Sequence, residues 1–196
     1  MAVINPLVEG DIDEAVAIRL IQHSGHDAGI TYGRRGIGYI REKLPGFNRS
    51  AKSIRYLTLV DFMDTGIECP PNVMTRWLPH PEQGMQLRVV VREIESWLLA
   101  DADGLAMFLS VRPALISSAP EAVQDPKQLL VNIARRSRKR TTRAALVPSN
   151  ESTAQVGPRY NSELRAFVEN HWSPVRASHR APSLAKCIQR LAAIPV

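Results

Sequence analysis

The 196-residue sequence contains only two cysteines, no long apolar run and no nucleotide-binding P-loop. Cys69 and Cys187 lie far apart and match no C-x-x-C metal spacing, which indicates reduced structural thiols. No apolar run reaches the roughly 18 residues that a transmembrane helix needs, so we expect no membrane association. The opening MAVINPLVEGDIDE turns acidic without a basic start or an apolar leader core, which favours a cytoplasmic protein.

The charges are distributed unevenly along the chain. Residues 1–124 carry 12 Lys and Arg against 15 Asp and Glu, whereas residues 125–196 carry 13 against 4. This division suits a protein in which a basic region binds a polyanion while an acid-bearing region holds a cation. A soluble surface with an uneven charge distribution is the alternative interpretation.

The apolar patterns predict an α/β fold with a mostly parallel sheet flanked by helices. Predicted strands in AVINPLVEG, RYLTLVD and MQLRVVVREI are followed by helical patterns in DIDEAVAIRLIQH, NVMTRWL and ESWLLADADGLAMFL. Such sheets bind ligands at the carboxyl ends of their strands. After Leu115 only helical patterns follow, near 126–137, 161–172 and 183–193. We expect an α/β core over residues 1–115 and a basic helical extension over 116–196, packed on the core as one structural domain.

Carboxylates follow each of the three predicted strands. These acids are Glu9, Asp61, Asp64, Glu93 and Glu95. Because parallel strands end at one edge of a sheet, we expect the acids to meet there and to need a divalent cation, Mg²⁺ or Mn²⁺, to offset their repulsion. Each acid alone is also compatible with a turn or helix-capping role. The pattern leaves open whether Glu93 and Glu95 belong to the strand or to the following helix.

Two basic segments are candidates for binding phosphate. In ARRSRKRTTR, six cations fall within nine positions: Arg135, Arg136, Arg138, Lys139, Arg140 and Arg143. A nucleic-acid backbone would relieve their repulsion and release counterions, although a solvated helix end explains them equally well. The glycine-rich segment SGHDAGITYGRRGIG is predicted to be a loop, after which YIREKL starts a helix. In this loop, backbone N–H groups with Arg34 and Arg35 could contact phosphate. That loop lacks the Gly-Lys-Ser/Thr ending of a P-loop, which argues against ATP binding by this chain.

The segments VEG at 8–10 and LVDFMD at 59–64 resemble a Toprim-type core, the small α/β domain of topoisomerases, primases and OLD-type nucleases. In that family, a Glu after the first strand is followed by Gly, and an Asp-x-Asp pair after a later strand binds Mg²⁺. The resemblance implies roles for Glu9 and Asp61. Met63 stands where the second Asp ordinarily lies, so Asp64 would take its role through a shifted turn.

A longer resemblance runs along nearly the whole chain. GRRGIGYIREKLPGFNRSA, DFMDTGIECPP, VREIESWLLAD, the DPK of DPKQLL, VGPRYN and SLAKCIQRL are similar in order and spacing to the bacterial domain of unknown function 4276, a group with a Toprim-like core. Members of that group often lie beside AAA-type or OLD-like ATPases in suspected phage-defence loci. The resemblance implies a Toprim-like nuclease, or its relic, that acts with an ATPase partner.

These observations together predict Mg²⁺-dependent hydrolysis of phosphodiesters in DNA or RNA. Glu9 would act as general acid/base or ligand, Asp61 and Asp64 as ligands, and Glu93 as a further ligand or water-orienting group. A non-catalytic module that binds an ATPase partner or nucleic acid is the main alternative, which Met63 favours. A small-molecule phosphotransfer enzyme is a third, and it would need a deep closed pocket. The sequence leaves the oligomeric state open.

Overall fold

The computed structural model describes residues 1–195. It is an α/β protein with a mostly parallel sheet flanked by helices and a helical C-terminal region, as the alternation of strand and helix patterns predicts. The chain divides into two compact units. The first contains Met1–Val91 together with the chain from Ser183 onward, and the second contains Arg92–Pro182.

The first unit carries a five-stranded sheet. Its strands are β1 (Val3–Val8), β2 (Asp27–Ala28), β3 (Tyr32–Gly33), β4 (Arg55–Asp61) and β5 (Met85–Val90). The order is β2-β1-β4-β5, with β3 also pairing with β1, and every pairing is parallel. Asp61 stands opposite Val90 in the β4–β5 register, so β4 and β5 end side by side.

The helices are α1 (Asp11–His23), α2 (Gly36–Ser50), α3 (Pro70–Trp77), α4 (Ile94–Ala100), α5 (Ala102–Leu109), α6 (Pro126–Arg135), α7 (Arg140–Leu146), α8 (Tyr160–Asn170), α9 (Pro174–Ser178) and α10 (Pro182–Ala192). Short 3₁₀ helices lie at Phe62–Thr65, Pro113–Leu115 and Pro120–Ala122. Within the described part of the chain, no helix combines the length and the apolar character that crossing a membrane requires.

Both faces of the central strands are buried. Tyr56 and Val60 belong to one apolar cluster that also contains Leu44 of α2. The alternate residues Leu57 and Leu59 are fully buried as well, and they point to the opposite face because successive side chains in a strand alternate. Burial on both faces explains why RYLTLVD is almost uninterrupted in its apolar character.

Helix α2 differs from the sequence prediction in its length. The pattern YIREKL predicts a helix that starts at Tyr39, whereas α2 begins at Gly36 and continues through Pro45 to Ser50. A proline inside a helix removes one backbone hydrogen bond and normally disfavours continuation. Here Leu44 is buried and Phe47 packs against the same apolar cluster, and this packing keeps the helix intact beyond the proline.

The predicted helix in ESWLLADADGLAMFL is divided at Asp101. Helix α4 ends at Ala100, and the Asp101 Oδ1 atom accepts a hydrogen bond from the Gly104 N–H at 3.2 Å, which caps α5. The same carboxylate accepts two hydrogen bonds from the Arg176 guanidinium, at 2.6 and 2.8 Å. Apolar spacing alone could not reveal this break, because both helices continue the same periodicity.

Candidate metal centre

Glu9 and Asp61 lie at the carboxyl ends of neighbouring strands in the first unit. Glu9 directly follows β1, and Asp61 is the last residue of β4, which pairs with β1. The Glu9 Oε1 atom accepts a hydrogen bond from the backbone N–H of Asp61 at 2.9 Å. Asp61 is buried. The structure therefore brings these two acids together at the edge that the strand order predicts.

Asp64 is placed differently from Asp61. Asp61 is the N-cap of the 3₁₀ helix at Phe62–Thr65, whose tight turn carries the chain away from the strand. Asp64 is exposed on that turn, and Met63 is 47% exposed. Asp64 is thus outside the buried carboxylates that could hold a metal, and its role as a second ligand stays a prediction.

Glu93 begins a helix in the second unit, which answers the question left open by the sequence. Arg92 adopts a left-handed φ of 57°, and Glu93 is the N-cap residue of α4. The Glu93 carboxylate accepts a hydrogen bond from the Lys127 backbone N–H at 2.7 Å and one from its Nζ at 3.4 Å. Two contacts with one residue hold this carboxylate against the first turn of α6.

The DPK segment explains why Lys127 is available for that contact. Asp125 caps α6 by accepting a hydrogen bond from the Gln128 N–H at 2.7 Å, and Pro126 occupies the first helical position. These are the residue types that favour a helix start. Asp125 caps the Gln128 N–H. The Lys127 N–H is another first-turn donor that has no acceptor within its own helix, and it donates its hydrogen bond to Glu93.

Glu95 is the most buried acid of the candidate site, at 1% exposure. Its Oε1 atom accepts a hydrogen bond from the Tyr160 hydroxyl at 3.0 Å and lies 3.7 Å from the Lys127 Nζ. Its Oε2 atom is buried and has no hydrogen-bond partner among the described residues. Burial raises the pKa of Glu95 to about 7, Lys127 opposes this change, and the Glu93 charge adds to it. Burial, followed by the Glu95 charge, also raises the pKa of Tyr160.

A second buried acid in the same unit provides a comparison. Asp101 is fully buried, and both of its oxygens are bound by donors from Arg176, Gly104 and Ser173. The burial of Asp101 is therefore explained by its structural role, which is to cap α5 and to bind Arg176. Glu95 is not explained in this way, because one of its oxygens lacks the donor that a buried carboxylate normally has.

Buried carboxylates are candidate ligands for a metal ion in each unit taken by itself: Asp61 in the first, and Glu93 and Glu95 in the second. In the second unit, Glu93 and Glu95 offer carboxylate oxygens within 4.8 Å of each other. Carboxylate oxygens are hard ligands that suit Mg²⁺ or Mn²⁺. The donor types fit a divalent cation without distinguishing between these two ions.

The predicted phosphate contacts of Arg34 and Arg35 meet competing partners in the first unit. Arg34 has a left-handed φ of 59°, and its Nη1 atom lies 3.4 Å from the Glu14 carboxylate. The Arg35 guanidinium lies over the ring of Tyr39, 5.5 Å from its centroid. Both arginines thus have contacts inside the protein, and phosphate binding by this loop stays a prediction.

The basic run of ARRSRKRTTR spans the end of α6, a short connection and α7, a helix that the sequence patterns did not indicate. Arg135 ends α6 and Arg140 begins α7. Arg143 donates a hydrogen bond to the Ser137 carbonyl oxygen. Arg135, Arg140 and Arg143 line one cavity. The other cations of the run are exposed and lie outside that cavity: Arg136, Arg138 and Lys139.

Sequence reasoning missed Lys127 and Tyr160 as partners of the acids. For Lys127, the Asp-Pro start of α6 was a usable signal, because it fixes where the first-turn N–H groups lie. For Tyr160, the sequence carries no comparable signal. Its hydroxyl meets Glu95 across 65 sequence positions, and such a contact depends on tertiary packing.

No family model matches the chain, and searches of curated protein sequences and of solved structures find no significant match.

Proposed function

We propose that this protein hydrolyses phosphodiester bonds in DNA or RNA with a divalent cation, Mg²⁺ or Mn²⁺. One observation carries the proposal: Glu95, a buried carboxylate beside Glu93, has an oxygen without a hydrogen-bond partner among the described residues. A buried carboxylate costs several kcal/mol unless a proton, a donor or a cation compensates it. A bound divalent cation would offset the negative charge of the buried carboxylate and would also provide the chemistry for phosphodiester hydrolysis.

In this proposal, Glu93 and Glu95 of the second unit provide ligands to the ion. The ligand roles of Asp61 and Asp64 in the first unit stay predictions. The ion would lower the pKa of a bound water and offset the charge that develops on phosphate. The role of Glu9 in the first unit, as general acid/base or as a ligand, stays a prediction. As the water oxygen bonds to phosphorus, the ester P–O bond breaks and the departing oxygen takes up a proton.

The basic run supports nucleic acid as the substrate class. Arg136, Arg138 and Lys139 are exposed cations, and cations of this kind bind the phosphate backbone by releasing its counterions. The resemblance to the domain of unknown function 4276 adds an ATPase partner and a role in phage defence to the proposal. A cytoplasmic setting, which the sequence analysis favours, is proposed with them.

A metal titration tests the proposal directly. In calorimetry with Mn²⁺ and Mg²⁺, we expect the wild-type protein to bind the ion and Glu95→Gln to lose most of that binding. Glu169→Gln is the matched control, because it removes the same charge from an exposed position on α8. The same three proteins are then tested for cleavage of labelled DNA and RNA. An absence of binding by the wild type, or equal binding by all three proteins, would overturn the proposal.

A non-catalytic module is the second candidate, and Lys127 is the observation that favours it. Its Nζ lies 3.4 Å from Glu93 and 3.7 Å from Glu95, so a cation of the protein already offsets part of the negative charge. If this compensation is sufficient, the site binds no metal and the protein serves as a scaffold for an ATPase partner or nucleic acid. The wild-type titration separates the two functions.

A further inference from the structure

A cavity of about 700 Å³ in the second unit combines positive charge with an apolar lining. Arg135, Arg140 and Arg143 contribute the charge, and Val147 and Val156 are among the apolar lining residues. None of the described residues that line it is acidic. The volume falls within the range of about 300–1,000 Å³ that is typical of small-ligand sites. Such a lining fits a ligand that has an anionic group and an uncharged body.

One wall of the cavity is fixed by a close backbone approach. The Gly157 N–H donates a hydrogen bond to the Leu146 carbonyl oxygen at 3.0 Å, and the Arg159 N–H donates one to the Ala145 carbonyl oxygen, also at 3.0 Å. A Cβ atom at Gly157 would lie 2.4 Å from that Ala145 oxygen. The chain next to Val156 is therefore held against the end of α7, so the backbone fixes this wall of the cavity.

The arginines differ in how far they are already engaged. Arg143 is tied to the Ser137 carbonyl oxygen, which fixes its position. Arg135 and Arg140 are exposed, and neither forms an ion pair with another residue in 1–195. Guanidinium groups pair with phosphate oxygens through two parallel N–H donors. Arg135 and Arg140 are thus the cations available to an anionic ligand.

We infer that this cavity binds one nucleotide unit of a single-stranded nucleic acid, a step that rests on the proposed function. The phosphate lies on Arg135 and Arg140, and the nucleoside lies against the apolar wall that includes Val147 and Val156. A strand is the occupant because Arg135 and Arg140, which line the cavity, flank three exposed cations in the sequence. These cations, Arg136, Arg138 and Lys139, would contact further phosphates of the same strand.

The apolar wall selects a single strand over a duplex. In a duplex the faces of the bases are stacked and their edges are paired. Only an unpaired strand can therefore place a nucleoside against apolar side chains. No aromatic residue lines the cavity, and base stacking on aromatic rings is the usual source of tight single-strand binding. Binding should therefore be moderate, strongly salt-dependent and nearly independent of base sequence.

Fluorescence anisotropy tests this inference with a labelled single-stranded oligonucleotide of mixed sequence, in EDTA so that no cleavage occurs. We expect Arg140→Gln to weaken binding by about five- to tenfold and to reduce the salt slope by about 0.7. Ala144→Glu places a carboxylate in the cavity from an exposed position and should weaken binding at least as much. The matched control is Arg180→Gln, which removes an exposed cation outside both the cavity and the basic run and should cost less than threefold.

The outcomes separate this inference from the proposed function. Equal losses in Arg180→Gln and Arg140→Gln would overturn the cavity as a site and leave the metal titration unaffected. Equal losses on duplex and on single-stranded probes would overturn the selection of a single strand. Binding of AMP alone, with no binding of the oligonucleotide, would overturn the strand as occupant. If Ala144→Glu does not fold, as judged by circular dichroism, the two arginine variants still decide the result.

Discussion

Replacing Glu95 with glutamine should remove a pH dependence from the stability of the metal-free protein. Burial raises the pKa of Glu95 in the folded state to about 7, from an ordinary value of 4.5. The folded protein therefore keeps a proton that the unfolded chain loses. Stability from this group is fully present below pH 4.5 and is lost as the pH rises through 7. Glutamine has the same shape, keeps an oxygen for the Tyr160 hydroxyl and carries no charge at any pH.

The magnitude follows from the difference between the two pKa values. A difference of one unit corresponds to about 1.4 kcal/mol, so the wild-type protein should lose about 3 kcal/mol of unfolding free energy from Glu95 between pH 5 and pH 8. Glu95→Gln should be similar to the wild type at pH 5 and more stable by up to about 3 kcal/mol at pH 8. Such a difference is a large share of the stability of an ordinary domain.

Urea unfolding in EDTA at several pH values measures this difference, with circular dichroism as the signal. Glu169→Gln again serves as control, since an exposed carboxylate should give a difference of less than about 0.5 kcal/mol at every pH. A stability difference between wild type and Glu95→Gln that does not change from pH 5 to pH 8 would refute the reasoning. It would mean that Glu95 is ionised throughout and fully compensated by Lys127 and Tyr160.

Three further changes test features of the structure beyond Glu95. Asp101→Ala removes the cap of α5 and leaves the Gly104 and Ser173 N–H groups without their acceptor, so it should lower the unfolding free energy in urea by about 1–3 kcal/mol; a loss below about 0.5 kcal/mol would contradict this. Gly157→Ala places a Cβ atom too close to a backbone oxygen and should lower the unfolding free energy by about 1–3 kcal/mol in the same measurement. An unchanged unfolding midpoint would contradict this, because it would show that the backbone next to residue 157 moves to accommodate the methyl group. Burial raises the pKa of Cys187 to about 12, so a thiol reagent at pH 8 should modify the half-buried Cys69 and reach Cys187 only after unfolding.

The main strands were predictable because each buried strand of a parallel sheet is a compact apolar run. RYLTLVD corresponds to β4 without a shift, and the predicted strand after Gly84 corresponds to β5 in its first six residues. The end of β5 was less predictable. Arg92 leaves the strand with a left-handed φ, a conformation that is uncommon for a residue with a side chain and leaves no pattern in the sequence.

The placement of the acids was only partly predictable. Strand order was sufficient to expect Glu9 beside Asp61, since both follow neighbouring parallel strands. Asp64 could not be placed from the pattern, because a 3₁₀ turn and an extended chain put its side chain in different positions. Lys127 and Tyr160, which contact Glu95, lie 32 and 65 residues after it in the sequence, and no local periodicity indicates contacts over such separations.

The raised pKa of Glu95 and the proposed metal binding have the same physical cause. In the second unit, Lys127 faces two carboxylates, those of Glu93 and Glu95, so one negative charge remains when both are ionised. In a buried environment this excess charge must be removed by a proton or by a cation. Below pH 7 a proton on Glu95 is sufficient, and above pH 7 a cation becomes the alternative. Metal affinity should therefore rise as Glu95 loses its proton, because ion and proton compete for the same carboxylate.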